Sequence, residues 1–444
     1  MSSRTCLTSV SVACVALVLS ATPTAGATSG QLVVTEDTRL RQDHVGNIVI
    51  AADDVSLDCA GHEVTGSGSG FGIYTERSGV TITGCRVSRF VLGILVVRSS
   101  NNVVSDNTAF ENTDQGIALN STRDSDVTHN TVRENVTAGI GLAFSDHITV
   151  SHNVAVDNVR AGIDLYFSDD DVVEDNLAAD NGELGIVLHA AEGNRIADNE
   201  ATRNGTEGSG SGFWVVNGSR GNVLVHNVAN GNGRGMSVLS SSFNRLHRNT
   251  ANGNTLFGLA VEDGSSHNVL SDNVVNNNGE FGLWVFSAAS NTFRDNVVTN
   301  SGRLGVALNR ADGNVLSDNA VLASGDTGVH LLSSSANKIA GNVLSDNGGD
   351  GLDLLRSSSN VVEDNRASNN AKSGFVVNDE SARNTLRRNV AHLNRWIGFA
   401  AQETTSLNTF AENEGCRNRI VDAVDYSSGA NTWLANVFCT TSGI

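Results

Sequence analysis

Apolar and polar positions along this chain come in short bursts that recur at a fixed interval. The stretch "VLSDNVVNNNGEFGLWVF", Val269 to Phe286, holds one period. Leu270, Val275 and the pair Leu283 and Val285 are apolar, and Asn273, Asn278 and Gly282 fall between them. Asn and Gly favour turns, whereas Leu-x-Val alternation is strand material. The pattern predicts three short strands per period, separated by sharp bends.

The same row repeats along most of the chain. One Asn recurs at 107, 130, 153, 176, 199, 227, 249, 273, 296, 319, 342, 365, 389, 413 and 436, and 23 residues is the commonest interval. In most rows Gly follows nine residues later, as at Gly116, Gly139, Gly162, Gly282 and Gly398. A second Asn often follows at five residues (Asn112, Asn135, Asn158), and from Asn194 onward a third precedes by five (Asn222, Asn244, Asn268). A fixed period of this length is the signature of a solenoid. Stacked coils place equivalent Asn side chains above one another, where each amide reaches the next carbonyl. The Gly of each row is expected to supply a bend with φ above zero. The fold expected is all-β: a single parallel β-helix of about 17 coils, at roughly 4.8 Å per coil. A leucine-rich repeat is disfavoured, because the inward positions are Ala, Val and Ile as often as Leu and no row has room for a helix.

Composition sharpens this picture. The chain has 444 residues, 46 Gly and one Pro, Pro23. Scarce Pro suits unbroken strand ladders. The net charge of -19 repels polyanions, so nucleic acid is not an expected partner. Arg4, the apolar run "VSVACVALVL" and Ala25-Gly26-Ala27 read as an export signal over residues 1–27, giving a secreted, extracellular product. No other segment is apolar enough to insert in a membrane. Residues 28–58 are assigned to N-terminal cap strands, 59–439 to the β-helix and 440–444 to a tail. Cys416 and Cys439 share a register in adjacent coils, which predicts a disulfide. Cys59 and Cys85 lie about one coil apart, offset by three positions, and form the second expected pair.

These repeats resemble the right-handed parallel β-helix repeats of pectate-lyase-like proteins, of carbohydrate-binding and sugar-hydrolase domains, and of NosD-type periplasmic copper-accessory proteins. The segment "VVTEDTRL" with "IVIAADDVSLDCAGHEVTG" resembles the opening coils of secreted bacterial members. The resemblance implies the fold. It leaves function open among lyases, epimerases, hydrolases and binders.

Candidate chemistry follows from which positions point outward. In Gly-[Ile/Leu]-x-[Leu/Val] the apolar residues point in, so the residue between them and the one after point out. Those two columns carry Asp164, Tyr166, His189, Trp214, Glu262, Trp284, Phe286 and Asn309. Exposed aromatic rings on a flat sheet stack on the apolar faces of sugars. Trp214, Glu262, Trp284, Phe286 and Asn309 are therefore expected to bind extended extracellular polysaccharide. Asp164, Tyr166 and His189 form the candidate catalytic cluster for a lyase, epimerase or glycoside hydrolase. The insertion "GTEGSGSG" before Trp214 is expected to wall a cleft. Asp106, His129, His152 and Asp175 share one register in four successive rows and form the candidate metal set. The continuation of that register by Asp198, Asp272, Asp295 and Asp318 also fits a solvated column. A Cu(I) accessory role is disfavoured by a mature chain with one Met, Met236. No resident cofactor is expected, Ca²⁺ entering only as a bridge to an acidic glycan. The expected state is a monomer.

Overall fold

The computed structural model describes residues 26–444 apart from positions 207 and 209. The apolar run of the expected export signal lies outside the described residues. Every described secondary-structure element is a β-strand, and every pairing between strands is parallel. The strands form three sheets of 19, 19 and 18 strands, each built from equivalent segments of successive coils. The coil beginning at Asn153 is typical: Val154–Val156 lies in the first sheet, Ala161–Tyr166 in the second and Val172–Glu174 in the third. Most strands of the second sheet are four to six residues long, against three in most coils of the other two. Residues 28–58 join these same ladders, with Thr28 opposite His44, Leu32 opposite Ile48 and Thr38 opposite Leu57.

Asparagine ladders hold the corners. From Asn107 to Asn436, each Nδ2–H donates to the Oδ1 of the next ladder Asn at 2.9–3.1 Å without a break. The same Oδ1 also accepts the backbone N–H of the preceding ladder residue, as Asn153 Oδ1 does from Asn130 at 2.9 Å. A second proton of the amide satisfies a carbonyl inside the coil, as Asn153 Nδ2 does with Val127 at 2.8 Å. These side chains are buried, so each polar group must be paired. The 23-residue period supplies that pairing.

The left-handed backbone lies elsewhere than the sequence suggests. The repeat glycines, Gly116, Gly139, Gly162 and Gly282 among them, do not have φ above zero. They are small because the chain approaches closely: a Cβ on Gly162 would sit 2.8 Å from the Gly185 carbonyl and 3.0 Å from Asn181 Nδ2. Four non-glycine residues of the typical coil take the left-handed conformation instead: His152 (φ 57°), Asp157 (55°), Phe167 (48°) and Asp170 (55°). His152 and Asp157 each stand immediately before a ladder Asn.

This accounts for the Asp and His column. Asp106, His129, His152 and Asp175 have φ of 58°, 58°, 57° and 53°. Asp, Asn and His are the non-glycine residues that tolerate this conformation best. The backbone therefore selects them without a metal.

The core runs the length of the solenoid. Ile163 and Leu165 are fully buried, as are Phe293, Phe375 and Phe399. Phe375 and Phe399 stack across adjacent coils, 5.0 Å between centroids. Disulfides join Cys59 to Cys85 and Cys416 to Cys439, with Cα atoms 4.7 and 5.2 Å apart. No helix among the described residues is long and apolar enough to cross a membrane.

Candidate functional site

Strand alternation breaks at each repeat glycine of the second sheet. The Gly and the apolar residue after it both face inward, so the residue before the Gly turns outward. The ladder register skips the glycine accordingly, pairing Ala138 with Ala161 and then Ile140 with Ile163. The outer face of the second sheet thus has three columns rather than two. The added column carries Ala161, Leu184, Ser211, Arg234, Phe257 and Phe281, which simple alternation would have placed in the core.

This face carries apolar clusters that are separate from the main core. One contains Ala138, Ala161, Leu184, Val187 and Val216, with Trp214 and Leu239 packed on it. The next holds Phe257, Ala260 and Phe281, with Trp284 against them. Trp284 stacks on Phe281 at 4.9 Å and on Phe286 at 5.8 Å between centroids. Its Nε1–H donates to Glu262 Oε1 at 3.1 Å, and Arg234 Nη1–H donates to Glu262 Oε2 at 2.9 Å. Trp284 is half-buried by these neighbours, so packing accounts for part of its presence. Asn309 pairs with Phe286 across the next strand.

A cleft of about 340 Å³ opens beside Trp214. Gly205, Gly208 and Gly210 of the inserted segment form one side, and Glu183, Leu184, Ser211, Arg234 and Leu239 are among the residues opposite. Arg234 Nε is buried there without an acceptor.

Upstream of the cleft lies a group of three exposed aromatic side chains. Phe144, Tyr166 and Phe167 are 54%, 39% and 44% exposed. Tyr166 meets His189 edge to face at 4.9 Å and Phe167 at 4.7 Å. Phe144 and Phe167 stack at 5.5 Å, inclined by 12°. Both phenylalanines have left-handed backbone, φ 51° and 48°. A bulky side chain is disfavoured in that conformation. The same left-handed corner is filled by Arg98 and Ser121 in the two preceding coils and by Ala190, Asn217 and Ser240 in the three that follow. The corner therefore does not require an aromatic ring, and the fold alone does not call for two exposed phenylalanines there.

The expected catalytic cluster is only partly assembled. No hydrogen bond joins Asp164, Tyr166 and His189. Asn217 Nδ2–H donates to His189 Nε2 at 3.0 Å. Asp164 Oδ1 is buried with no partner. Burial pushes its carboxyl above the usual range, against the opposing pull of Arg160 and His189. The group is suited to hold a proton beneath the aromatic cluster, but no nucleophile or second acid stands bonded to it.

Asp106, His129, His152 and Asp175 form a stack and not a chelate. The His129 and His152 rings lie face to face at 4.9 Å and 8°. His152 Nε2 is 3.9 Å from Asp175 Oδ2. Equivalent side chains in successive coils run parallel and do not converge. Among the described residues, no group of three or more His, Cys, Asp or Glu is placed to hold a metal ion.

No curated protein matches the chain. Several solved structures are similar in fold. The periplasmic alginate epimerase AlgG is 14% identical, with 77% of this chain and 78% of that chain covered and a TM-score of 0.38. The mannuronan C-5 epimerase AlgE4 A-module of Azotobacter vinelandii is 17% identical, covering 81% and 91%, with a TM-score of 0.37. A DFA-IIIase from Arthrobacter chlorophenolicus A6 is 12% identical, covering 65% and 84%, with a TM-score of 0.45. At these scores the likenesses carry no argument about what this chain acts on.

Residues 31–212 match the family described as periplasmic copper-binding protein (NosD). Copper does not fit the donors in that span. It has no Met, and Cys59 and Cys85 are joined in a disulfide. Its imidazoles are dispersed in stacks and pairs, such as His147 with Asp124 at 3.7 Å. Matches to the family described as right handed beta helix region cover residues 160–298 and 268–415, more than half of the 444 residues, and the chain belongs to that family.

Proposed function

We propose that this is an exported glycan-binding solenoid, which holds an extended polysaccharide along the outer face of its second sheet. The observation that carries this proposal is the exposed cluster of Phe144, Tyr166 and Phe167 beside His189, with two of its rings on left-handed backbone. Sugar rings present apolar C–H faces that stack on aromatic side chains. The Trp214 cleft continues the face downstream, with Trp214 and Leu239 offering apolar surface and Ser211 a hydroxyl. The two disulfides suit an oxidising, extracytoplasmic compartment. The net charge of -19 favours an uncharged chain over a polyanion.

Catalysis is the second reading, and the buried, unpaired Asp164 carboxyl favours it. We rank binding ahead of it, since Asp164 makes no hydrogen bond to Tyr166 or His189.

Affinity electrophoresis in gels containing neutral and acidic polysaccharides, followed by product analysis of any polymer that retards the protein, tests both readings. Retardation without new reducing ends or unsaturated products is expected. Retardation with cleavage or epimerisation replaces binding by catalysis. Mobility that no polymer changes refutes the glycan reading altogether.

A further inference from the structure

Ten coils beyond Tyr166 on the same sheet, a second cleft of about 600 Å³ crosses the outer face. Its walls include Asp350, Lys372, Trp396, Gln402 and Tyr426. Its floor is an apolar cluster of Val376, Ile397, Ala400 and Val424, again separate from the main core. Trp396 is 50% exposed and Tyr426 is 47% exposed. Neither ring is paired with another aromatic side chain, unlike Trp284.

The polar part of the cleft is built and not incidental. Asp350, just before the strand Leu352–Leu355, and Asp353 on it occupy the two outward positions that Phe281 and Trp284 occupy three coils earlier. Asp353 is held by its neighbours: Oδ2 pairs with His330 Nδ1 at 3.1 Å, and Oδ1 accepts from Asn378 Nδ2 at 2.7 Å. Asp350 Oδ1 accepts the Ser373 N–H at 2.7 Å. Burial pushes the Asp350 carboxyl up to about 6, with Asp353 adding to the rise and Lys372 opposing it. Lys372 Nζ stands 3.7 Å from Asp326. Glu403 lines the cleft from the following coil. Asp350 and Glu403 thus line the cleft with one lysine, which is itself paired with Asp326, so an anionic sugar is disfavoured.

We propose that this cleft is a second carbohydrate subsite, which takes an uncharged sugar ring of the same polysaccharide against Trp396 and Tyr426, with Asp350 and Gln402 bonding its hydroxyls. This rests on the glycan reading of the upstream face. The two subsites are about 48 Å apart along the rod at roughly 4.8 Å per coil. One long chain reaches both, and a short oligosaccharide reaches only one. Simultaneous engagement raises apparent affinity without any new contact. Retention is therefore predicted to rise in a step once the glycan spans both clefts.

The test measures binding of cello- and manno-oligosaccharides of increasing length, and of the parent polymers, to the full chain and to W396A. The long polymers are expected to lose at least about tenfold in affinity in W396A, while short oligosaccharides keep their affinity for the upstream face. In F144N/F167N, residual short-chain binding is expected, and it disappears when W396A is added. Gln402→Ala serves as a second, milder variant should W396A lower the melting temperature. Polymer affinity unchanged in both W396A and Gln402→Ala overturns the second subsite and leaves the upstream one standing. Binding confined to anionic polymers overturns the assignment of an uncharged sugar. Absence of all binding by the unaltered chain overturns the glycan reading and this inference with it.

Discussion

Trp284 Nε1 donates to Glu262 Oε1 at 3.1 Å, and the other oxygen of that carboxylate accepts from Arg234 at 2.9 Å. The bond ties together three side chains from three successive strands of the outer face. Arg234 also lies over the Phe257 ring, 5.2 Å from its centroid. Trp284 is thereby fixed in orientation and half-buried against Phe257 and Phe281.

Trp284→Ala should therefore lower stability as well as binding. Loss of a half-buried indole and its hydrogen bond is expected to cost about 2–3 kcal/mol, read as a shift in the denaturant midpoint. An unchanged midpoint would show that the ring is free of the packing described.

Asp171 interrupts the third-sheet corner ladder. It stands where Asn194, Asn222 and Asn244 stand in later coils, and it accepts from the Ile148 N–H at 2.7 Å. Its Oδ2 has no partner, and burial pushes its carboxyl up to about 8. The folded-state value is raised above the ordinary 3.8, so the folded state keeps a proton that the unfolded chain releases. Stability is then greatest below about pH 4 and falls as pH rises towards about 8. Asp171→Asn restores an amide donor to the ladder. It should stabilise the protein at neutral pH by several kcal/mol (an order-of-magnitude figure) and flatten that part of the pH profile. Thermal unfolding of both proteins across this range checks it, and equal melting temperatures at neutral pH would count against the ladder assignment.

The Cys416–Cys439 bond ties together the last two described coils. Cys416→Ser is expected to cost about 3 kcal/mol through the freed loop. Fraying should be local: amide exchange should quicken around Val421–Asp425 and Thr432–Leu434 while the central coils stay protected. Uniform loss of protection along the rod would show that the solenoid unfolds as one unit.

The solenoid was legible because its period is physical. A buried Asn at a corner must bond the next buried Asn, so the ladder writes itself into the spacing. The Cys416–Cys439 pair was legible for the same reason, since register places the two side by side, whereas Cys59 and Cys85, 26 residues apart, were legible only as near neighbours one coil apart. The outer face was only half legible. Alternation was carried through the repeat glycines, where the chain in fact turns two successive residues inward, and so Arg234, Phe281 and Asp350 went unnoticed. His129 and His152 looked like ligands because backbone selection for a left-handed residue leaves the same His and Asp column that a metal site would. Phe144 and Phe167 did leave a signal: they are the aromatic residues in a register that holds Ser121, Ala190, Asn217 and Ser240 in nearby coils and Arg98, Arg310 and Arg356 in others. Asp164 was visible as a position, but its burial depends on packing that spacing does not encode.

Phe144→Asn with Phe167→Asn tests the central claim most directly, because it separates the two roles those rings can have. Asn accepts the left-handed backbone that Phe resists. If the rings serve the glycan, the double variant melts higher than the parent, and its affinity for the retained polysaccharide falls at least about tenfold. Paired calorimetric melting and titration give both numbers on the same samples. A lower melting temperature, or affinity that survives the exchange, would contradict the account and make the cluster part of the fold.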